Sequence, residues 1–182
     1  AVALLSSVLR ESGCKTASYT SPHLHRYNER FVINGQEISD EQFAAEITLM
    51  RHHCEAMAAN GEDVPTLFEI VTAAAFHYFA EEKVDIAVME VGLGGTYDAT
   101  NVIEAPLLSL IMSISMDHMD YLGNTLSDIA REKCGIIKKN YPVVLYSQGK
   151  IVYNMAKEMA QALSAPFYCE TENQISVHKQ DF

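Results

Sequence analysis

The sequence has no apolar run approaching the ~20 residues that a membrane-spanning helix requires, so a soluble, cytoplasmic protein is expected and no membrane partner. Basic residues are scarce. The 13 Lys and Arg stand against 24 Asp and Glu, and the resulting net charge of −11 argues against nucleic acid as a partner, because such binding depends on neutralising phosphates. No CxxC pair occurs among Cys14, Cys54, Cys134 and Cys169, which favours four reduced thiols over a zinc site or disulfides. No basic segment precedes the opening run Ala1-Val2-Ala3-Leu4-Leu5, and no small-residue cleavage site follows it, which argues against a signal peptide. Internal repeats and low-complexity linkers are also missing, so we place no boundary inside the chain. What remains, 48% hydrophobic and 20% charged residues over 182 positions, is enough to bury a core.

Periodicity reads as alternating helices and strands. Residues 1–12 place Val2, Leu5, Val8 and Leu9 on one helical face and end at Gly13, a residue suited to closing a helix. No capping residue stands before Ala1, so the helix is expected to begin beyond it, in an upstream part not included in this sequence. A short strand over "CKTASYTS" leads to "ERFVINGQEIS", where Asn34-Gly35 between apolar residues predicts a hairpin. Ser39 with Gln42 caps a helix from Asp40, whose stripe Phe43, Ile47, Met50, Cys54 and Met57 predicts a one-sided surface helix. Thr66 with Glu69 caps a second helix that is apolar on most faces. The runs "VDIAVMEV" and "PLLSLIMSIS" read as central parallel strands covered on both faces. A helix over about 127–137, a strand "YPVVLYS", a helix over 150–163 and a strand "APFYCE" complete a right-handed, doubly wound, mostly parallel sheet flanked by helices.

In such a sheet, ligands bind beyond the carboxyl ends of the strands. Three polar segments fall there: "YTSPHLHRYNER", "EVGLGGTYDATN" and "SMDHMDYLGNT", carrying Ser21 and His23, Glu90 and Asp98, and Asp117, His118 and Asp120. Glu90 stands at a strand end before glycines that no lysine follows. It can be a magnesium carboxylate, or it can cap a turn while the glycines allow tight packing. "DHMD" can be a ligand cluster in which Asp117 orients the His118 ring, or a solvated loop ending in a helix cap. His25, His52, His53, His77 and His178 have no acidic or cysteine partner at ligand spacing and read as surface or core residues. Lys133 shares a helical surface with Ile129, Ile136 and Ile137. Apolar neighbours there would favour a neutral amine able to react with carbon dioxide.

Taken together, "TSPHLHRYNERFVINGQEIS", "PTLFEIVTAAAFHYFAEEKVDIAVMEVGLGGTYDATNVI" and "SISMDHMDYLGNTLSDIAREKCGIIK" closely resemble the folylpolyglutamate and dihydrofolate synthases of the Mur ligase superfamily, from residue 1 to about 145. The resemblance implies that residues 1–182 are part of the N-terminal ATP-binding domain, a P-loop NTPase-like fold, incomplete here. The family's P-loop would lie upstream of Ala1, so nucleotide-binding residues are not assigned and the piece alone is expected to be inactive. The C-terminal glutamate-binding domain is likewise not included. It implies a ligase that phosphorylates a carboxylate of tetrahydrofolate, or of dihydropteroate in bifunctional members, with ATP. The amine of L-glutamate then displaces phosphate from the acyl phosphate. Catalytic roles fall by resemblance on Lys133, His118 and Glu90. Ser21 and Glu90 would hold one magnesium, and Glu90, His118 and a carbamylated Lys133 a second. Thr66, Leu67, Phe68 and Glu69, with Tyr97, Asp98 and Ala99, match positions lining the pterin site, and Gly92, Gly94 and Gly95 would let backbone approach the substrate. A monomer is expected.

Two departures stand out: Thr96 where arginine is frequent, and Cys134 where alanine is usual. The rival readings are a metal-dependent hydrolase built on "DHMD", which needs no nucleotide, and a non-catalytic fragment.

Overall fold

The computed structural model describes residues 1–116 and 123–169, and the chain divides into two compact units, Ala1–Gly92 and Leu93–Phe182. No helix among the described residues is long and apolar enough to cross a membrane.

In the first unit the elements are α1 (Val2–Glu11), β1 (Thr16–Tyr19), β2 (Phe31–Ile33), β3 (Gln36–Glu37), α2 (Asp40–Ala59), α3 (Leu67–Glu81) and β4 (Ile86–Met89). The strands order as β3-β2-β1-β4, with β1 and β4 parallel and the other pairs antiparallel. The expected hairpin joins β2 to β3: Asn34 and Gly35 both take positive φ, 50° and 81°, as a tight two-residue turn demands. Both predicted helix starts also form, with Ser39 accepting from the Gln42 N–H and Thr66 from the Glu69 N–H. The α2 stripe Phe43, Ile47, Met50, Cys54 and Met57 is half-buried while the opposite face is open, as its spacing predicts. The core joins Ala17, Tyr19, Phe31, Ile33 and Ile38 to Val71, Ala74, Ala75, Tyr78 and Phe79 of α3. The Tyr19 hydroxyl meets Thr72 Oγ1 at 3.0 Å inside it.

Three expectations change here. No residue of α1 is buried, and Leu5 and Val8 of the predicted apolar face are exposed. The cause lies in β1, whose alternation sends Ala17 and Tyr19 to the core and Thr16, Ser18 and Thr20 to the other face. There the hydroxyl-bearing face, with Ser6, Ser7 and Arg10 of α1, borders a cavity of about 330 Å³. His77 does have an acidic partner, since packing of α3 on α2 brings its Nδ1 within 2.7 Å of Glu46 Oε2. Finally, β4 is an edge strand among the described residues, and Ala87 is exposed rather than covered.

The second unit holds β5 (Ser109–Ile111), α4 (Leu126–Cys134), β6 (Val143–Leu145), α5 (Lys150–Ala162) and β7 (Phe167–Cys169). Its sheet is parallel throughout, in the order β5-β6-β7. Ile111, Ile129, Val143, Leu145, Val152, Ala156 and Ala160 form the core with Cys134, whose thiol is pushed up to about 11 by burial. None of the four cysteines forms a disulfide. Of the predicted strand 106–115 only Ser109–Ile111 pairs, because β5 is an edge strand facing a three-residue neighbour. α4 closes at Cys134 rather than near 137, with Gly135 at its cap. The α/β class with parallel strands and flanking helices stands as expected.

Candidate active site

The first unit brings Ser21 and Glu90 together from positions 69 apart in the chain. β1 and β4 run parallel in the register Tyr19↔Met89, and the Glu90 N–H continues the ladder to the Tyr19 carbonyl at 2.9 Å. Both chains therefore leave the sheet at the same level, at the carboxyl ends of two parallel strands. There the Ser21 N–H donates to Glu90 Oε2 at 3.0 Å, while Oε1 accepts no hydrogen bond among the described residues. Glu90 is half-buried, so part of its carboxylate remains accessible.

The loop after Ser21 is built around Glu29. Its carboxylate accepts from the backbone N–H groups of Leu24 at 2.8 Å, His25 at 2.7 Å and Arg26 at 2.8 Å. Those bonds, from Leu24 and Arg26 above all, lower its pKa from the usual 4.5 to about 2. His23, a candidate ligand, has its Nδ1 lone pair taken by Arg30 Nε at 3.0 Å, and its ring lies 4.3 Å from that of Tyr27. Sequence reasoning missed Glu29. Its position three residues after Arg26, the same interval as in a capping box, was the available signal.

The segment assigned to pterin contacts forms the start of α3. Thr66, Leu67 and Glu69 are exposed and Phe68 is half-buried. Glu69 Oε2 accepts from Thr66 N–H and Thr66 Oγ1, both at 2.7 Å, and these bonds hold its carboxyl below the ordinary range. Gly92 lies against Phe68: a Cβ there would stand 2.4 Å from Cζ of the ring. Gly92 thus stands where the Phe68 ring needs the space of a missing side chain.

In the second unit Gly94 takes φ +69° and Gly95 is pressed against the end of α4, where a Cβ would meet the Glu132 carbonyl oxygen at 2.4 Å. A side chain at Gly95, too, would collide with the protein itself. Asp98 ties this loop together, accepting from Leu93 N–H at 2.9 Å, Thr100 N–H at 2.9 Å and Thr100 Oγ1 at 2.5 Å. Ala99 follows it in a short 3-10 turn, and Tyr97 is 93% exposed. Thr96, in place of the frequent arginine, bonds the Glu132 carbonyl through both N–H and Oγ1. Lys133 is half-buried in the last turn of α4, beside Ile129 and Ile137, which are buried. His118, Asp117, Asp120 and His178 lie outside the described residues. Among the described residues no group of three or more His, Cys, Asp or Glu side chains is arranged to hold a metal. Ser21 and Glu90 fit a magnesium ion nonetheless: both are hard oxygen donors, and magnesium is commonly held by one or two such groups, its other positions filled by water and phosphate.

Comparison with known proteins gives the family. The Mur ligase middle domain matches over residues 36–181. A dihydrofolate synthase/folylpolyglutamate synthase of Bacillus subtilis is 46% identical over 91% of this chain and 39% of its own length. A folylpolyglutamate synthase of Arabidopsis thaliana is 43% identical over 88% of this chain and 26% of its own. A solved FPGS–AMPPCP–folate complex superimposes with a TM-score of 0.88 at 33% identity, covering 92% of this chain and 41% of that one. The chain thus spans about two fifths or less of these relatives. The chain belongs to the Mur ligase middle-domain family.

Proposed function

We propose that the chain is part of the ATP-binding domain of a cytoplasmic, monomeric ligase that adds L-glutamate to a reduced folate through an acyl phosphate. The observation that carries this reading is the Ser21–Glu90 pair at the carboxyl ends of parallel strands. The likeness to a solved FPGS–AMPPCP–folate complex supports it. In this reading the acceptor carboxylate attacks the γ-phosphorus of ATP and ADP leaves. The amine of glutamate then attacks the acyl carbon, phosphate leaves, and the amine proton passes to solvent.

Ser21 and Glu90 would hold one magnesium. Glu90, His118 and a carbamylated Lys133 would hold a second, an assignment resting on the sequence resemblance. Bound magnesium supplies positive charge against the phosphate oxygens. The protein's share is positioning: the β1–β4 ladder fixes Glu90, the Ser21 N–H orients its carboxylate, and Thr66–Glu69 with Tyr97–Ala99 would border the pterin. Dihydropteroate is proposed as a second acceptor, because the Bacillus subtilis relative is a dihydrofolate synthase as well as a folylpolyglutamate synthase.

The test is substitution in the complete polypeptide that carries this chain. Glu90→Ala and His118→Ala should each lower turnover by about 10²–10³-fold, the scale of losing a principal electrostatic group from an active site. Unchanged turnover in both variants sinks the metal assignment. Turnover that depends on metal but not on ATP would instead favour a hydrolase.

A further inference from the structure

We propose that Asn101 is a positioning residue for Lys133, an inference resting on the reading of Lys133 as a carbamylated magnesium ligand. Lys133 lies in the last turn of α4, where the final carbonyls of a helix have no partner within it. The glycine loop supplies donors to that turn. Thr96 N–H reaches the Glu132 carbonyl at 3.0 Å, and Thr96 Oγ1 reaches the same oxygen at 3.3 Å. Two glycines make the approach possible. A Cβ on Gly95 would lie 3.1 Å from the Lys133 Cα, and one on Gly135 would lie 2.1 Å from Thr96 Oγ1.

One carboxamide closes the contact. Asn101 Nδ2 donates to the Thr96 carbonyl at 3.0 Å and to the Gly135 carbonyl at 3.2 Å, so a single group holds loop and helix end at once. Lys138 Nζ holds the Asn101 carbonyl in turn, at 2.9 Å. No hydrogen bond or ion pair holds the Lys133 amine among the described residues, so the contacts that fix this residue act on the backbone of its turn, from which the side chain starts. A carbamylated Lys133 would reach its magnesium, and be retained by it, only where this backbone places the side chain. The lone pair of the neutral amine attacks the carbon of CO2, the N–C bond forms, a C=O electron pair moves to oxygen, and the nitrogen releases one proton to water.

The test uses the complete polypeptide with Asn101→Ala and with Asn101→Asp, which keeps the shape but has no donors for the two carbonyls. After equilibration with 13C-bicarbonate, a carbamate signal that disappears in Lys133→Ala reports occupancy. The expected result is a weaker signal in both Asn101 variants and a kcat lower by about tenfold, the scale seen when a residue orienting a metal ligand is lost. Raised bicarbonate should recover part of that kcat by mass action, with KM for ATP unchanged; a purely structural loss would not respond to bicarbonate. A full carbamate signal in both variants, or a kcat deaf to bicarbonate, overturns the role of Asn101. If both variants fail to fold, Lys138→Met, which removes only the outer bond, decides by the same signal. No signal in the unsubstituted protein overturns instead the reading of Lys133 itself.

Discussion

Gly92→Ala tests how closely the glycine loop follows Phe68. The new methyl would stand 2.4 Å from Cζ and 3.0 Å from both Cε atoms, closer than carbon atoms settle, so the ring must tilt. Tilting a ring about 30° from its rotamer costs about 0.5–1.5 kcal/mol, and overpacking as a whole about 1–3 kcal/mol. Because Phe68 is assigned to the acceptor site, the same tilt should raise KM for the folate acceptor and leave KM for ATP unchanged. The assay is a double-mutant cycle read by denaturant unfolding and by initial rates. Gly92→Ala should cost about 1–3 kcal/mol in the unsubstituted background and well under 1 kcal/mol once Phe68→Ala has removed the ring. Equal costs in both backgrounds would show that the glycine does not serve the ring, and the reasoning would fail.

Glu29→Gln should remove an acid-sensitive contribution to stability. The Glu29 pKa is depressed on folding, so its contribution is fully present above 4.5, the ordinary value, and is lost as pH falls toward about 2. Unfolding of the native and substituted proteins compared over that window should converge at the acid end; a constant difference contradicts the assignment. Tyr19→Phe leaves the buried Thr72 hydroxyl without its 3.0 Å partner and should cost about 1–3 kcal/mol by denaturant unfolding. Adding Thr72→Val should recover part of it, and no recovery would mean that the hydroxyl pair is not the source.

Local chemistry was the legible part of the fold. Asn34-Gly35 announced its hairpin, and Ser39 and Thr66 their helices, because each device works within four residues of chain. The α1 face was misread because helical spacing says which residues share a side, not what the opposite surface offers. Here that surface is Thr16, Ser18 and Thr20. Edge position was equally hidden: the apolar runs of β4 and β5 look central in sequence, and pairing partners alone decide.

At the site, Glu90 was readable from its place before glycines at a strand end, and Ser21 from the polar segment that follows the first strand. That the two touch depends on the β1–β4 register, which no local pattern contains. Asn101 and Gly135, 34 positions apart, gave no signal at all, and neither did the Glu46–His77 pair. The glycines were legible as close approaches, and at Gly92 and Gly95 the approach is to the protein's own side chain and backbone.

The most direct measurement of the central claim is ADP release by the complete polypeptide, followed with magnesium, reduced folate and L-glutamate each present or withheld, for the native protein and for Glu90→Gln. Glutamine keeps an oxygen for the Ser21 N–H while removing the charge, so the loop is retained. The account predicts glutamate-dependent ADP release that requires magnesium and folate, and a fall of about 10²–10³-fold in Glu90→Gln. Native-level release by Glu90→Gln, or turnover of the folate acceptor without ATP, would contradict it.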